Sequence, residues 1–141
     1  MIKLLLAEDN EFSRDMLMRR LQHQGFEVTA VANGREAVAA VRRDHPDLIL
    51  MDLDMPVMDG HGAMRLLKSD PRTFRIPIIV VSAHASPEDV AEAVVSGCQA
   101  FEAKPVVMRR LLERIEETLA ASRPTPAPSA PEEPADPAPV P

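Results

Sequence analysis

The chain has no excess of positive charge: 16 Lys and Arg stand against 22 Asp and Glu, a net charge of −6 over 141 residues. An acidic body without a basic stripe argues against nucleic acid as a partner. Cysteine is almost absent. The single Cys98 cannot form an intrachain disulfide, so nothing requires an oxidising compartment, and the residue reads as small packing. Apolar runs are short, far below the roughly 20 residues of a membrane-spanning helix. The first of them, Ile2–Ala7, meets Glu8 and Asp9 at once, unlike a signal peptide. Trp and Tyr are missing, and His23, His45, His61 and His84 are too scattered for a zinc site. A cytoplasmic domain without membrane contact is the expectation.

Proline is abundant, but in one place. Eight of the 14 prolines lie between Pro124 and Pro141. Residues 123–141 are Pro/Ala-rich with scattered acids and no apolar periodicity to bury, and they read as a disordered tail or linker. Residues 1–122 are long enough for one domain with its own core.

Within that stretch, short apolar runs alternate with segments of helical period. Ile2–Ala7, Val28–Ala32, Leu48–Met51, Ile78–Val81 and Ala100-Phe101 read as strands, and near-continuous apolar runs suit parallel strands covered on both faces. The segments Phe12–Gln24, Gly34–Arg43, Gly62–Lys68, the stretch after Ser86, and Met108–Ala121 read as helices. Gly25 supplies a stop for the first. Ser86-Pro87-Glu88-Asp89 is a helix start with Ser as cap and acids at the positive end of the dipole. Arg109 and Glu113 are spaced for an i,i+4 pair. A βα unit repeated five times predicts an α/β fold: a five-stranded parallel sheet with helices on both faces. Such sheets bind ligands beyond the carboxyl ends of their strands.

The residues at those ends are polar. Glu8-Asp9 follow the first strand, Asp52 the third, Ser82 closes the fourth, and Lys104-Pro105 follow the fifth. Taken singly each has an ordinary reading; Asp9 or Asn10 could be a helix cap, and a lone Lys is usually a solvated one. Together they fall at one edge of the sheet. Three carboxylates crowded there would have raised pKa values unless a cation intervened. A hard divalent cation with oxygen ligands fits, and Mg²⁺ commonly shares a site with phosphate oxygens. Lys and Ser are suitable partners for a phosphoryl group, and a carboxylate can act as nucleophile.

Four stretches carry a family resemblance: Ala7–Asn10, Leu48–Gly60, Val80–Ala83 and Phe101–Pro105. In order and spacing they resemble the response-regulator receiver domain, the phosphoacceptor module of two-component signalling. The resemblance covers residues 2 to 121. It implies the flavodoxin-like (βα)5 arrangement with strand order 2-1-3-4-5. It implies that Asp52 is the phosphoacceptor, that Asp9 and Asp52 ligate Mg²⁺ with the backbone carbonyl of Asp54, and that Glu8 acts through water. Lys104 takes the position that pairs with the phosphoryl group. Ser82 takes the hydroxyl position that moves towards that group, and Phe101 the switch aromatic, here without the hydroxyl of a Tyr. Asp54 and His84 occupy positions that tune phosphoryl lifetime, and Pro105 one that often follows a cis peptide.

Glu8-Asp9-Asn10, Arg14 and Asn33-Gly34 are more similar to receivers of hybrid kinases and phosphorelays than to those fused to DNA-binding domains. The implied partners are a sensor histidine kinase or histidine phosphotransfer protein and a downstream protein target. Beyond catalysing its own phosphorylation and dephosphorylation, no conventional enzyme activity is expected. Three other readings remain open. Asp52-Leu53-Asp54 resembles the Asp-x-Asp of haloacid-dehalogenase-type phosphatases, although two strand–helix units precede it. A flavodoxin-like flavin binder would share the layered fold. A receiver serving only as a phosphate sink would need no output surface.

Overall fold

The computed structural model describes residues 1–122, so the tail or linker expected over 123–141 lies outside the described residues. Strands β1 (Lys3–Ala7), β2 (Glu27–Val31), β3 (Leu48–Met51), β4 (Ile78–Ser82) and β5 (Ala100–Ala103) alternate with helices α1 (Glu11–His23), α2 (Gly34–Asp44), α3 (Gly60–Lys68), α4 (Pro87–Ser96) and α5 (Met108–Ser122). All strand pairs are parallel, in the order β2-β1-β3-β4-β5. This is the flavodoxin-like arrangement that the resemblance implied.

Alternation along each strand makes two cores. Leu5, Ala7, Ile49, Met51, Ile78 and Val80 face one side, against Ala37 and Val41 of α2, Met64 and Leu67 of α3, and Ala93 of α4. Leu4, Leu6, Leu48, Leu50, Ile79 and Val81 face the other, against Leu21 of α1 and Leu111, Ile115 and Leu119 of α5. The strand period of two sends successive side chains to opposite faces, so the central strands must be apolar at every position. Burial of both faces is the main favourable term here, at roughly 1.5–3 kcal/mol for each fully buried large aliphatic side chain. Cys98 is buried against the first core, a packing residue as expected.

The caps explain the helix boundaries. Asn10, Asn33 and Asp59 each accept a backbone N–H of the following turn, and Ser86 with Asp89 forms a reciprocal capping box. Gly25, at φ 98°, follows the end of α1 as the left-handed stop. The expected Arg109–Glu113 pair does not form. Instead Arg114 reaches Glu102 of β5 at 3.0 Å and Arg110 approaches it at 3.8 Å, because these side chains lie on the sheet-facing flank of α5.

Candidate functional site

Register sets the site. Ala7, Met51, Val80 and Phe101 stand in one row across β1, β3, β4 and β5. The ladder runs one step further, with the Glu8 N–H donating to the Val31 carbonyl and the Asp52 N–H to the Ala7 carbonyl, both at 3.0 Å. Glu8 and Asp52 are thereby neighbours at the carboxyl edge of the sheet. The Lys104 N–H donates to the Ser82 carbonyl at 2.8 Å, which brings the end of β5 to the same edge. The peptide between Lys104 and Pro105 is cis.

There the side chains converge. Lys104 Nζ donates to Glu8 Oε1 at 2.8 Å and to Asp52 Oδ2 at 3.4 Å. Glu8 Oε2 also accepts the N–H of Asn10, and Asp52 Oδ1 that of Asp54. Glu8 and Asp52 are buried, while Asp9 is exposed; oxygens of all three lie within 4.8 Å of one another. Ser82 is fully buried and its Oγ accepts the N–H of His84 at 3.0 Å. Phe101 is partly buried against the α2–α3–α4 core. The Asp54 carboxylate turns outward, 3.7 Å from His84 Nε2.

One lysine does not balance this charge. Burial pushes the Asp52 carboxyl up to about 6, the Glu8 charge adds to that, and Lys104 only partly opposes it. Burial also acts against an ionised Glu8, but the hydrogen bonds from Lys104 and Asn10 outweigh it and hold Glu8 below its usual range. Lys104 is held above its usual range, since its carboxylate partners outweigh its own burial. The expectation that crowded carboxylates are raised unless a cation intervenes thus divides between two residues: Lys104 intervenes for Glu8, which has first claim on it, and Asp52 stays raised. Hard oxygen donors with surplus negative charge are what a small divalent cation needs, so the residues fit Mg²⁺.

Two positions gained meaning only in the folded chain. A Cβ on Gly60 would run into the Asp52 carbonyl, so only glycine lets the start of α3 pack against the backbone of that aspartate. Val57 has φ 69°, and Met58 N–H donates to the Pro56 carbonyl across it at 2.8 Å. It is therefore the centre of a γ-turn in a conformation that a β-branched residue rarely takes. The glycine in Met58-Asp59-Gly60 was visible in the sequence, but nothing there marked Val57.

The model of the response regulator receiver domain matches residues 4–116. The chain belongs to this family. Receivers are the phosphoacceptor switches of two-component signalling, and family members bind Mg²⁺ in the active site and meet kinases or phosphotransfer proteins and downstream targets. The polar-differentiation response regulator DivK of Brucella ovis is 34% identical over 116 residues, covering 82% of this chain and 94% of that protein. The receiver of a signal transduction histidine kinase from Syntrophus aciditrophicus is 32% identical with a TM-score of 0.81, covering 89% of this chain and 95% of that one. The receiver of the sensor histidine kinase PA1611 from Pseudomonas aeruginosa PAO1 is 32% identical with a TM-score of 0.79, covering 84% and 98% respectively. That structure has a magnesium ion coordinated in its active site cleft. The phosphatase and flavin readings gain no support: Asp52-Leu53-Asp54 follows the third strand of a receiver sheet, and carboxylates follow the first. No helix among the described residues is long and apolar enough to cross a membrane.

Proposed function

We propose that residues 1–122 form a receiver whose phosphoacceptor is Asp52, loaded from a phosphohistidine of a sensor kinase or histidine phosphotransfer protein. The observation that carries this is the buried Asp52 carboxylate held between two further acids and one lysine. A carboxylate oxygen of Asp52 attacks phosphorus, the bond from phosphorus to the imidazole nitrogen breaks, and an acyl phosphate forms. Asp9, Asp52 and the Asp54 carbonyl would hold Mg²⁺, with Glu8 acting through water. Bound there, the ion supplies positive charge for the phosphoryl oxygens. Lys104 lies close enough to follow the new charge, and the Ser82 hydroxyl is available once it leaves the His84 N–H. Phe101 then moves into the space that Ser82 vacates. Asp54 and His84 flank the mouth and tune access of water.

The donor has a path to the site. Beside Glu8 and Lys104 opens a groove of about 260 Å³ lined by Met16 and Leu17 of α1 and by Pro105 and Val106. Its apolar walls suit a helix presenting a phosphohistidine at the edge of the site. Output passes to a downstream protein, in the cytoplasm, with residues 123–141 as a tail or linker and no nucleic-acid contact. The decisive experiment is mass spectrometry after treatment with acetyl phosphate and Mg²⁺. One acid-labile phosphoryl adduct should form in the wild type and none in Asp52→Asn; an adduct of normal yield in that variant refutes the assignment.

A further inference from the structure

Within the acidic cluster the three carboxylates are held unequally. Glu8 has Lys104 and the Asn10 N–H, and Asp52 has Lys104 and the Asp54 N–H. Among the described residues the Asp9 carboxylate has no hydrogen-bond or ion-pair partner, and it is exposed. Its place beside Asp52 therefore follows from its backbone alone. That backbone belongs to the short connection between β1 and α1, where carbonyls have left the sheet ladder and not yet entered the helix.

Arg14 closes this gap. It lies in the first turns of α1, its own N–H donating to the Asn10 carbonyl at 2.8 Å. Its guanidinium turns back over the connection, and NH1 donates to the Glu8 carbonyl at 3.0 Å and to the Asp9 carbonyl at 3.4 Å. The residue is thus fixed at its base by the helix and at its tip by the loop. A planar guanidinium suits this bridging, whereas a lysine ammonium is a strongly hydrated point on a flexible stem. Among the described residues Arg14 has no carboxylate within salt-bridge distance, so its bonds go to the backbone rather than to the acids themselves.

We propose that Arg14 is a positioning residue: by bridging the Glu8 and Asp9 carbonyls it sets the Asp9 carboxylate where a divalent cation meets it together with Asp52. This rests on the Mg²⁺ reading of the site. The sign of the effect separates it from simple electrostatics. A positive charge near a cation site repels the cation, so if Arg14 acted only as a charge, its removal would tighten Mg²⁺ binding. A positioning role demands the opposite.

The test is Mg²⁺ titration of the full chain by calorimetry, with amide NMR of residues 8–10 as the local readout. Arg14→Ala should weaken Mg²⁺ binding on the order of 10-fold, the scale of losing a group that orients a ligand. Arg14→Lys should fall between, and the metal-free melting temperatures of wild type and Arg14→Lys should nearly coincide. With acetyl phosphate as donor, the Mg²⁺ concentration for half-maximal loading should rise by the same factor while the rate at saturating Mg²⁺ is preserved. Unchanged or tighter Mg²⁺ binding in Arg14→Ala overturns the proposal, and Arg14→Lys decides in the same way if the alanine variant fails to fold. No Mg²⁺ binding by the wild type overturns the metal reading and this inference with it.

Discussion

Asp52→Asn should make the metal-free protein more stable, although it removes an ion-pair partner of a half-buried lysine. The structure gives the reason. Lys104 keeps its shorter bond to Glu8, at 2.8 Å against 3.4 Å to Asp52, so the amide removes mainly surplus negative charge. Burial and the Glu8 charge push Asp52 from 3.8 up to about 6. A carboxyl whose folded pKa is raised binds its proton more tightly in the folded state. Stability from it is complete below about pH 4 and is lost as pH rises through 6. That displacement corresponds to about 3 kcal/mol. Solvent screening at the open mouth reduces that to about 1–2 kcal/mol. For a domain of this size the gain is roughly 5 °C in melting temperature. The assay is thermal melting by circular dichroism with a chelator present, at pH 7.5 and pH 4.5. The variant should melt higher at pH 7.5, by a margin that shrinks at pH 4.5. A variant less stable at pH 7.5, or equally stabilised at both, would refute the charge argument.

Other consequences can be checked on the same protein. Mg²⁺ at a hundredfold excess over its dissociation constant should stabilise the wild type by about 2.7 kcal/mol, most of it lost in Asp9→Ala; coincident wild-type melts with and without millimolar Mg²⁺ would contradict the site. Hydrogen bonds from Arg72 hold Asp70 down at about 2, with the Arg42 charge contributing, so its contribution is present above about pH 4 and lost as pH falls through 2. Asp70→Asn should accordingly lower the melting temperature at neutral pH, by a margin that shrinks on acidification. Gly60→Ala should slow acetyl phosphate loading, measured against Mg²⁺ saturation, because its Cβ displaces the Asp52 backbone. Ser82→Ala should leave Asp52 loading intact but weaken the beryllofluoride-induced amide shifts in α4 and β5. A phosphoryl group shifts a surface only through contacts that differ between states, typically worth about 1–3 kcal/mol. Full shifts in that variant would remove Ser82 from the switch, and silence of α4 and β5 in the wild type would favour a phosphate sink.

The layered fold was legible because its cause is local. Leu48-Ile49-Leu50-Met51 and Ile78-Ile79-Val80-Val81 have no polar position, which only a strand covered on both faces tolerates. Ser86-Pro87 announced its helix by capping chemistry, which acts within one turn. The weak second strand and the short fifth were placed to within two residues, their ends being set by pairing with neighbours rather than by composition.

The site residues were legible as types and as positions after strands, since parallel strands send all their carboxyl ends to one edge. What tertiary structure decided was how they share charge. Whether Asp9 or Asn10 capped α1 was open until the Asn10 side chain met the Ser13 N–H, which leaves the Asp9 carboxylate turned to the acidic cluster. Lys104 stands 96 residues from Glu8 and 52 from Asp52 along the chain, and because it sits closer to Glu8 it only partly opposes the burial and the Glu8 charge that raise the Asp52 pKa. The expected Arg109–Glu113 pair is absent, while Arg110 and Arg114, for which the sequence named no partner, meet Glu102 because β5 lies against that flank of α5. The role of Gly60 likewise depends on a carbonyl eight residues earlier that the fold brings within van der Waals reach. Pattern and local capping set the elements of this receiver, because both act over a few residues. Charge partition and close approach emerge only in three dimensions, because they depend on distances between groups far apart in the chain.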